Sequence, residues 1–216
     1  MRRFLKIFTV ILLLLLSNLI SICGQDSKYY TEFYKALNTL VRLKYSRISL
    51  ILDKSWEVYR TSYGLDYPKE KIDVPPQPPP PGNIYYARWK FNYLVLSNKL
   101  DKKDIDYMYN SIDSTKIIIL DPNRTSLHVI PYESVFKIFR NSEVDFKAAD
   151  DSIQKLYGAR KFIIVSTPIF NKDFTSLIIT IKTHQENVPD ETYVMHKKNG
   201  NWKIVKGKKI VVRRKS

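Results

Sequence analysis

Seven of the eleven prolines lie within residues 68–82, including the run Pro78-Pro79-Pro80-Pro81, and the stretch closes on Gly82. Proline lacks an amide hydrogen and has a fixed φ, so neither a helix interior nor a central strand can pass through such a segment. The run favours an extended polyproline II conformation and makes a semi-rigid spacer. Aromatic-lined grooves on partner proteins also read this shape, but the spacer reading is preferred. The expected organisation is a helical region over 25–67, a proline-rich linker over 68–83, and an α+β domain over 84–216.

What precedes residue 25 reads as a targeting element. Arg2, Arg3 and Lys6 form a positive start, and Ile7 to Leu16 is apolar but for Thr9. Ser21, Cys23 and Gly24 then supply small residues. The apolar part is shorter than the ~20 residues of a spanning helix, and the layout is that of a secretory signal peptide over 1–24, cut after Gly24. The minority alternatives are an uncleaved anchor extended by Leu19 and Ile20, and a lipoprotein acylated on Cys23. Bulky Ile22 departs from the small residue that such a cysteine usually follows. The expected location is outside the cytoplasm, periplasmic or secreted. Cys23 is the single cysteine, which excludes a disulfide scaffold and a cysteine-based zinc cluster.

The chain carries 36 Lys and Arg against 21 Asp and Glu, a formal net charge of +15. Residues 1–24 account for three of these charges, so +12 remains from Gln25 onward. Lys197 to Ser216 contains seven lysines, two arginines and no acid, which places nine of those twelve in the last twenty residues. A solvated, fraying basic end is the plain reading. The functional one is an electrostatic footprint for an anionic partner. Lys203, Lys206, Lys208, Lys209, Arg213 and Arg214 are the candidate residues, and lipid headgroups or acidic glycan are the candidate envelope partners. Nucleic acid is the least favoured partner for an exported chain, and a protein partner stays open.

Hydrophobic residues make up 44% of the chain, enough for a globular core. Phe33, Leu37, Leu40, Val41 and Ile48 recur at helical spacing, and the pattern carries through Trp56 and Tyr59, predicting helix over 29–63. Ile84 to Leu96 fits either a helical stripe or an alternating strand; helix is preferred. Asp101 with Asp104 predicts a capped helix with Ile105, Met108 and Ile112 on its apolar face. Ile117 to Leu120 reads as a buried strand ending in the turn Asp121-Pro122-Asn123. Short helices are expected after Pro131 and over Ala148 to Tyr157, the second ended by Gly158. Strands are expected at Phe162 to Val165 and Leu177 to Ile181, joined through a turn at Asn171-Lys172-Asp173. Asn199-Gly200 is the preferred pair for a type I′ hairpin. It sets Met195 opposite Ile204, Lys197 opposite Trp202 and His196 opposite Lys203. Lys209 to Arg213 is expected to add a further strand to an antiparallel C-terminal sheet.

From about Ser152 the chain resembles a group of small exported bacterial proteins of unknown function. The resemblance rests on Ser166-Thr167-Pro168-Ile169-Phe170-Asn171-Lys172-Asp173, the strand Leu177 to Ile181, and Lys197-Lys198-Asn199-Gly200-Asn201-Trp202-Lys203-Ile204-Val205. It implies export and a shared strand-hairpin region. Those relatives often carry a cysteine- and glycine-rich loop where this chain has His184 to Glu191, so no functional residue carries over.

Motifs for chemistry are sparse. Six glycines form no phosphate-cradling spacing, and neither H-E-x-x-H nor G-x-S-x-G occurs. His128 reads as a core or rim histidine. His184 and His196, with Glu186 and Asp190, suggest a two-histidine, two-carboxylate metal site, the basis of an alternative reading as a metal-dependent hydrolase. No catalytic residue, metal ligand or cofactor is assigned. Asp101, Asp104 and Asp106 are explained by helix capping and the helix dipole. Twelve of fifteen tyrosines fall between Tyr29 and Tyr109, interleaved with Arg60, Arg88, Trp89 and Lys90. They suit either a stacking surface or, the preferred reading, a packed helical layer with wet hydroxyls. The leading expectation is a non-enzymatic envelope module that binds or scaffolds through its basic C-terminus.

Overall fold

The computed structural model describes residues 27–61, 83–88, 91–93, 100–112, 116–141, 146–184, 188 and 190–205. The expected signal peptide, most of the proline-rich linker and the strand expected at 209–213 lie outside them. The fold is α+β, with helices on both faces of a mixed sheet.

A helix, α1, occupies 27–44, and Tyr45 N–H still donates to Val41 O at 2.8 Å. Its apolar stripe of Phe33, Leu37, Leu40 and Val41 is buried. Beyond it the helical expectation is overturned. Leu50–Leu52 is strand β1 and Glu57–Thr61 is strand β2. Leu50 and Leu52 pack to one side of the sheet and Ile51 to the other. A strand buried on both faces reads as a continuous apolar run, which periodicity cannot separate from a buried helix. Asn83–Ala87 is likewise strand (β3) where helix was preferred, and among the described residues that follow it Arg88 and 91–93 are helical. β2 and β3 pair in parallel, Tyr59 beside Tyr85.

Helix α2, Lys102–Asn110, is capped as expected: Asp101 accepts from Lys103 N–H at 3.1 Å. Residues 116–120 make a single bridge, Lys54 to Ile119, instead of a ladder strand, while the Asp121 turn forms with Asn123 N–H on its carboxylate. Strand β4 is His128–Ile130, followed by α3 (Tyr132–Asn141) and α4 (Phe146–Tyr157). Gly158 ends α4 with φ +79° and donates to Gln154 O. Strands β5 (Phe162–Val165), β6 (Ile169–Phe170), β7 (Ser176–Thr183), β8 (Glu191–Lys198) and β9 (Asn201–Ile204) complete the chain.

The main sheet runs β4-β1-β5-β7-β8-β9, with β6 also on β7. It is mixed where an antiparallel sheet was expected: β1 pairs in parallel with β4 and β5, and the rest is antiparallel. A parallel pair needs a long crossover, and the helices between β1 and β5 supply it. α1 covers one face over Ile51, Ile163, Leu177, Ile179 and Met195. On the opposite face α2 and β3 cover Ile169, Ile178 and Val194, while α3 and α4 cover Leu50, Ile130 and Phe162.

The Asn199-Gly200 hairpin has the expected register, Met195 with Ile204, Lys197 with Trp202 and His196 with Lys203. Both turn residues have positive φ, 52° and 77°. Gly200→Ala is expected to cost about 1 kcal/mol, lowering the melting temperature by roughly 3 °C in a calorimetric scan; an unchanged melt would remove the I′ argument.

Candidate functional site

Of the candidate cation-bearing residues, Lys203 is described: it is exposed on β9, the outer strand beyond β8. Lys206, Lys208, Lys209, Arg213 and Arg214 lie outside the described residues. Lys198, at the hairpin tip, is also exposed. Neither Lys198 nor Lys203 forms a salt bridge to a described carboxylate.

What holds this edge in place is a buried carboxylate that the helical pattern did not single out. Glu32 of α1 is 5% exposed. It accepts from the Trp202 indole at 3.0 Å and from Lys197 Nζ at 2.7 Å, and Lys35 closes on its other oxygen at 3.2 Å. Burial alone would push the Glu32 carboxyl up. The hydrogen bonds from Lys197 and Lys35, the Lys197 charge and the Trp202 indole outweigh that and hold it below the ordinary carboxylate range. One of the nine C-terminal cations is therefore spent inside the fold. The signal in the sequence was a glutamate on an otherwise apolar helix face, next to Phe33.

At the other end of α1, Tyr45 and Tyr193 share Glu191. Tyr45 Oη donates to it at 2.9 Å and lies 3.0 Å from Tyr193 Oη, and Tyr193 also donates to it. Burial first raises both phenols; Tyr193 and Glu191 add to this at Tyr45, while at Tyr193 Glu191 adds to it against the opposing hydrogen bond with Tyr45, so both stay protonated donors. The expectation of wet tyrosine hydroxyls is corrected for Tyr29, Tyr34, Tyr45 and Tyr86, whereas Tyr59, Tyr93 and Tyr107 are exposed. Tyr29 donates to Pro168 O at 3.0 Å, Tyr34 accepts from Asp121 N–H at 2.6 Å, and Tyr86 lies 2.8 Å from Thr180 Oγ1. The rings fill the core, and removing their hydroxyls from water obliges each to find a partner.

The joint histidine site does not form. His196 is paired with Ser176 at the start of β7, whereas His184 follows Thr183 at its end. Eight strand residues set them roughly 26 Å apart. Each has a local partner instead. His196 Nδ1 lies 2.6 Å from Ser176 Oγ. His184 Nε2 lies 2.9 Å from Asp150 Oδ1, with its ring stacked on Phe162 and edge-on to Phe139. Glu186 lies outside the described residues. Among the described residues no group of three His, Cys, Asp or Glu side chains is placed to hold a metal ion. His128 is exposed on β4, a rim histidine.

Asn171 is a polar group whose role the sequence understated. It is buried, accepts from Thr175 and Ser176 N–H at 2.9 Å each, and donates to Thr175 Oγ1 and to Asp104 Oδ2. It ties the β6–β7 turn to the first turn of α2, so Asp104 does more than complement the helix dipole. Comparison with protein-family models, curated proteins and solved structures finds no match.

Proposed function

We propose that this chain is an exported, non-enzymatic envelope module that binds or scaffolds, presenting its basic C-terminal end to an anionic surface. The observation that carries the reading is the exposed pair Lys198 and Lys203 on the outer edge of the sheet, leading into Lys206, Lys208, Lys209, Arg213, Arg214 and Lys215. The Glu32–Trp202 and Glu32–Lys197 contacts give that edge a fixed base. Cations displayed from a rigid strand lose less freedom on binding than the same cations on a free chain. Export is supported by the layout of residues 1–24 and by the C-terminal resemblance.

Association with vesicles rich in anionic lipid, or with an acidic polysaccharide, is expected to weaken steeply with added salt. Deletion of residues 206–216 removes six cations and is expected to weaken association with anionic vesicles about ten-thousandfold, at roughly 1 kcal/mol per charge. Binding indifferent to both salt and the deletion would overturn the reading.

A further inference from the structure

We infer that the open sheet edge at residues 117–119 is a docking site for an extended peptide strand of a partner protein, which it takes up by pairing that strand to the sheet. The edge lies on the β4 flank, across the sheet from β9. It is therefore separate from the basic C-terminal end and goes beyond the proposed function.

The local hydrogen bonds decide which amides are open. Ser55 N–H donates to Ile118 O at 2.9 Å and Leu120 N–H to Asp53 O at 2.7 Å, on either side of the Lys54–Ile119 bridge. In an antiparallel pair this pattern makes Lys54 and Ile119 the non-hydrogen-bonded couple, whose own amides point away from each other. Ile118 N–H also turns inward, onto Ser55 Oγ at 2.8 Å, and Lys116 O accepts from Thr167 Oγ1 at 3.1 Å. Residues 116, 118 and 120 thus bond toward the sheet, and alternation turns the N–H and C=O of Ile117 and Ile119 outward. Neither residue makes a hydrogen bond among the described residues.

The side chains add an apolar shelf beside these amides. Ile118 and Leu120 are buried in the cluster under α1, so Ile117 and Ile119 lie on the opposite face, the side of α3. Ile119 is 65% exposed. Lys54, across from it, holds its ammonium 5.5 Å over the Tyr132 ring, and Tyr132 stacks on Phe136 at 5.9 Å. Phe136 is 49% exposed. A single exposed apolar residue is ordinary. Here two of them stand next to open amides on β-branched residues, an edge that proteins commonly cover or break up. A strand laid along it pairs with both N–H and both C=O groups of Ile117 and Ile119. Every second side chain of that strand falls beside Ile119 and Phe136. The chemistry recognised is an extended segment with apolar residues at alternate positions.

A second copy of this chain is the competing occupant. A three-residue edge and two exposed apolar side chains fall well short of the roughly 800 Å² that each partner of a stable dimer buries. A single added strand draws its affinity from backbone pairing and fits the smaller site.

The test uses the full isotope-labelled chain and a probe peptide that alternates valine and threonine. In the free protein the Ile117 and Ile119 amides are expected to exchange with solvent unprotected, while Ile118 and Leu120 are slowed. Near-saturating peptide is expected to slow exchange at 117 and 119 about tenfold. Two further peptides carry N-methyl groups, one on its valines and one on its threonines. Only one of these sets can face the edge, so one methylated peptide is expected to lose binding and the other to keep it. Ile119→Pro removes an outward N–H and leaves the inward bonds intact; it is expected to weaken binding roughly fivefold, whereas Ile119→Val keeps it. If Ile119→Pro lowers the melting temperature, the methylated peptides decide alone. Equal behaviour of the two methylated peptides overturns strand addition, as does unchanged exchange at 117 and 119 when peptide is added. Protection of 117 and 119 in the free protein, with a doubled mass in sedimentation, assigns the edge to a second copy and overturns the peptide partner. Each of these outcomes leaves the proposed anionic contact untouched, because vesicle association is read separately.

Discussion

Phe33→Ala is expected to lower the free energy of unfolding by about 4 kcal/mol, the range for deleting a fully buried aromatic ring. Phe33 is wholly buried on α1, in one cluster with Ile51, Ile163, Leu177, Met195 and Trp202. The informative feature is the shape of the loss. Because β1 lies between β4 and β5, α1 and β1 are built into the same layers as the C-terminal strands. The whole transition is expected to shift as one, by roughly 10 °C in the melting temperature. A first transition that moves while a second stays in place would show that residues 27–61 fold apart from the sheet.

Glu32→Ala is expected to cost about 3 kcal/mol, because it leaves the Lys197 ammonium and the Trp202 indole without their partner in a site with little water. Glu32→Gln keeps an acceptor for the indole and is expected to cost less. The effect carries a pH signature. An unfolded glutamate titrates near about 4.3, and Glu32 in the fold titrates lower. Between those values the unfolded chain binds the extra proton, so stability rises with pH there. The contribution is fully present above the ordinary carboxylate range and drains away as pH falls through the folded value. Urea unfolding from pH 7 downward should show the wild-type chain and Glu32→Gln converging in acid. A constant gap between the two would refute the assignment.

The seated edge also explains why Lys197 and Lys198 differ although they are neighbours in a basic run. Alternation along β8 turns Lys197 toward α1, where Glu32 holds it, and leaves Lys198 at the tip. Counting charge along the sequence treats them alike. The proposed anionic contact depends on those that the fold leaves outside.

Local chemistry determined what could be read directly from the sequence. The Asn199-Gly200 turn, the Asp101 cap, the Gly158 stop and the strands at 162–165 and 176–183 are each specified by residues within a few positions of one another. The basic C-terminal run is likewise a matter of counting. Tertiary structure alone decided that the apolar run at 50–52 is a central strand, that 83–87 pairs with 57–61, and that the sheet is mixed. Those choices turn on partners far along the chain, and an apolar run buried on both sides suits a helix and a strand equally until its partners arrive. The same holds for the polar groups. Glu32 found Trp202 and Asn171 found Asp104 across 170 and 67 residues, whereas His184 and His196, twelve residues apart in the sequence, were carried to opposite ends of one strand pair.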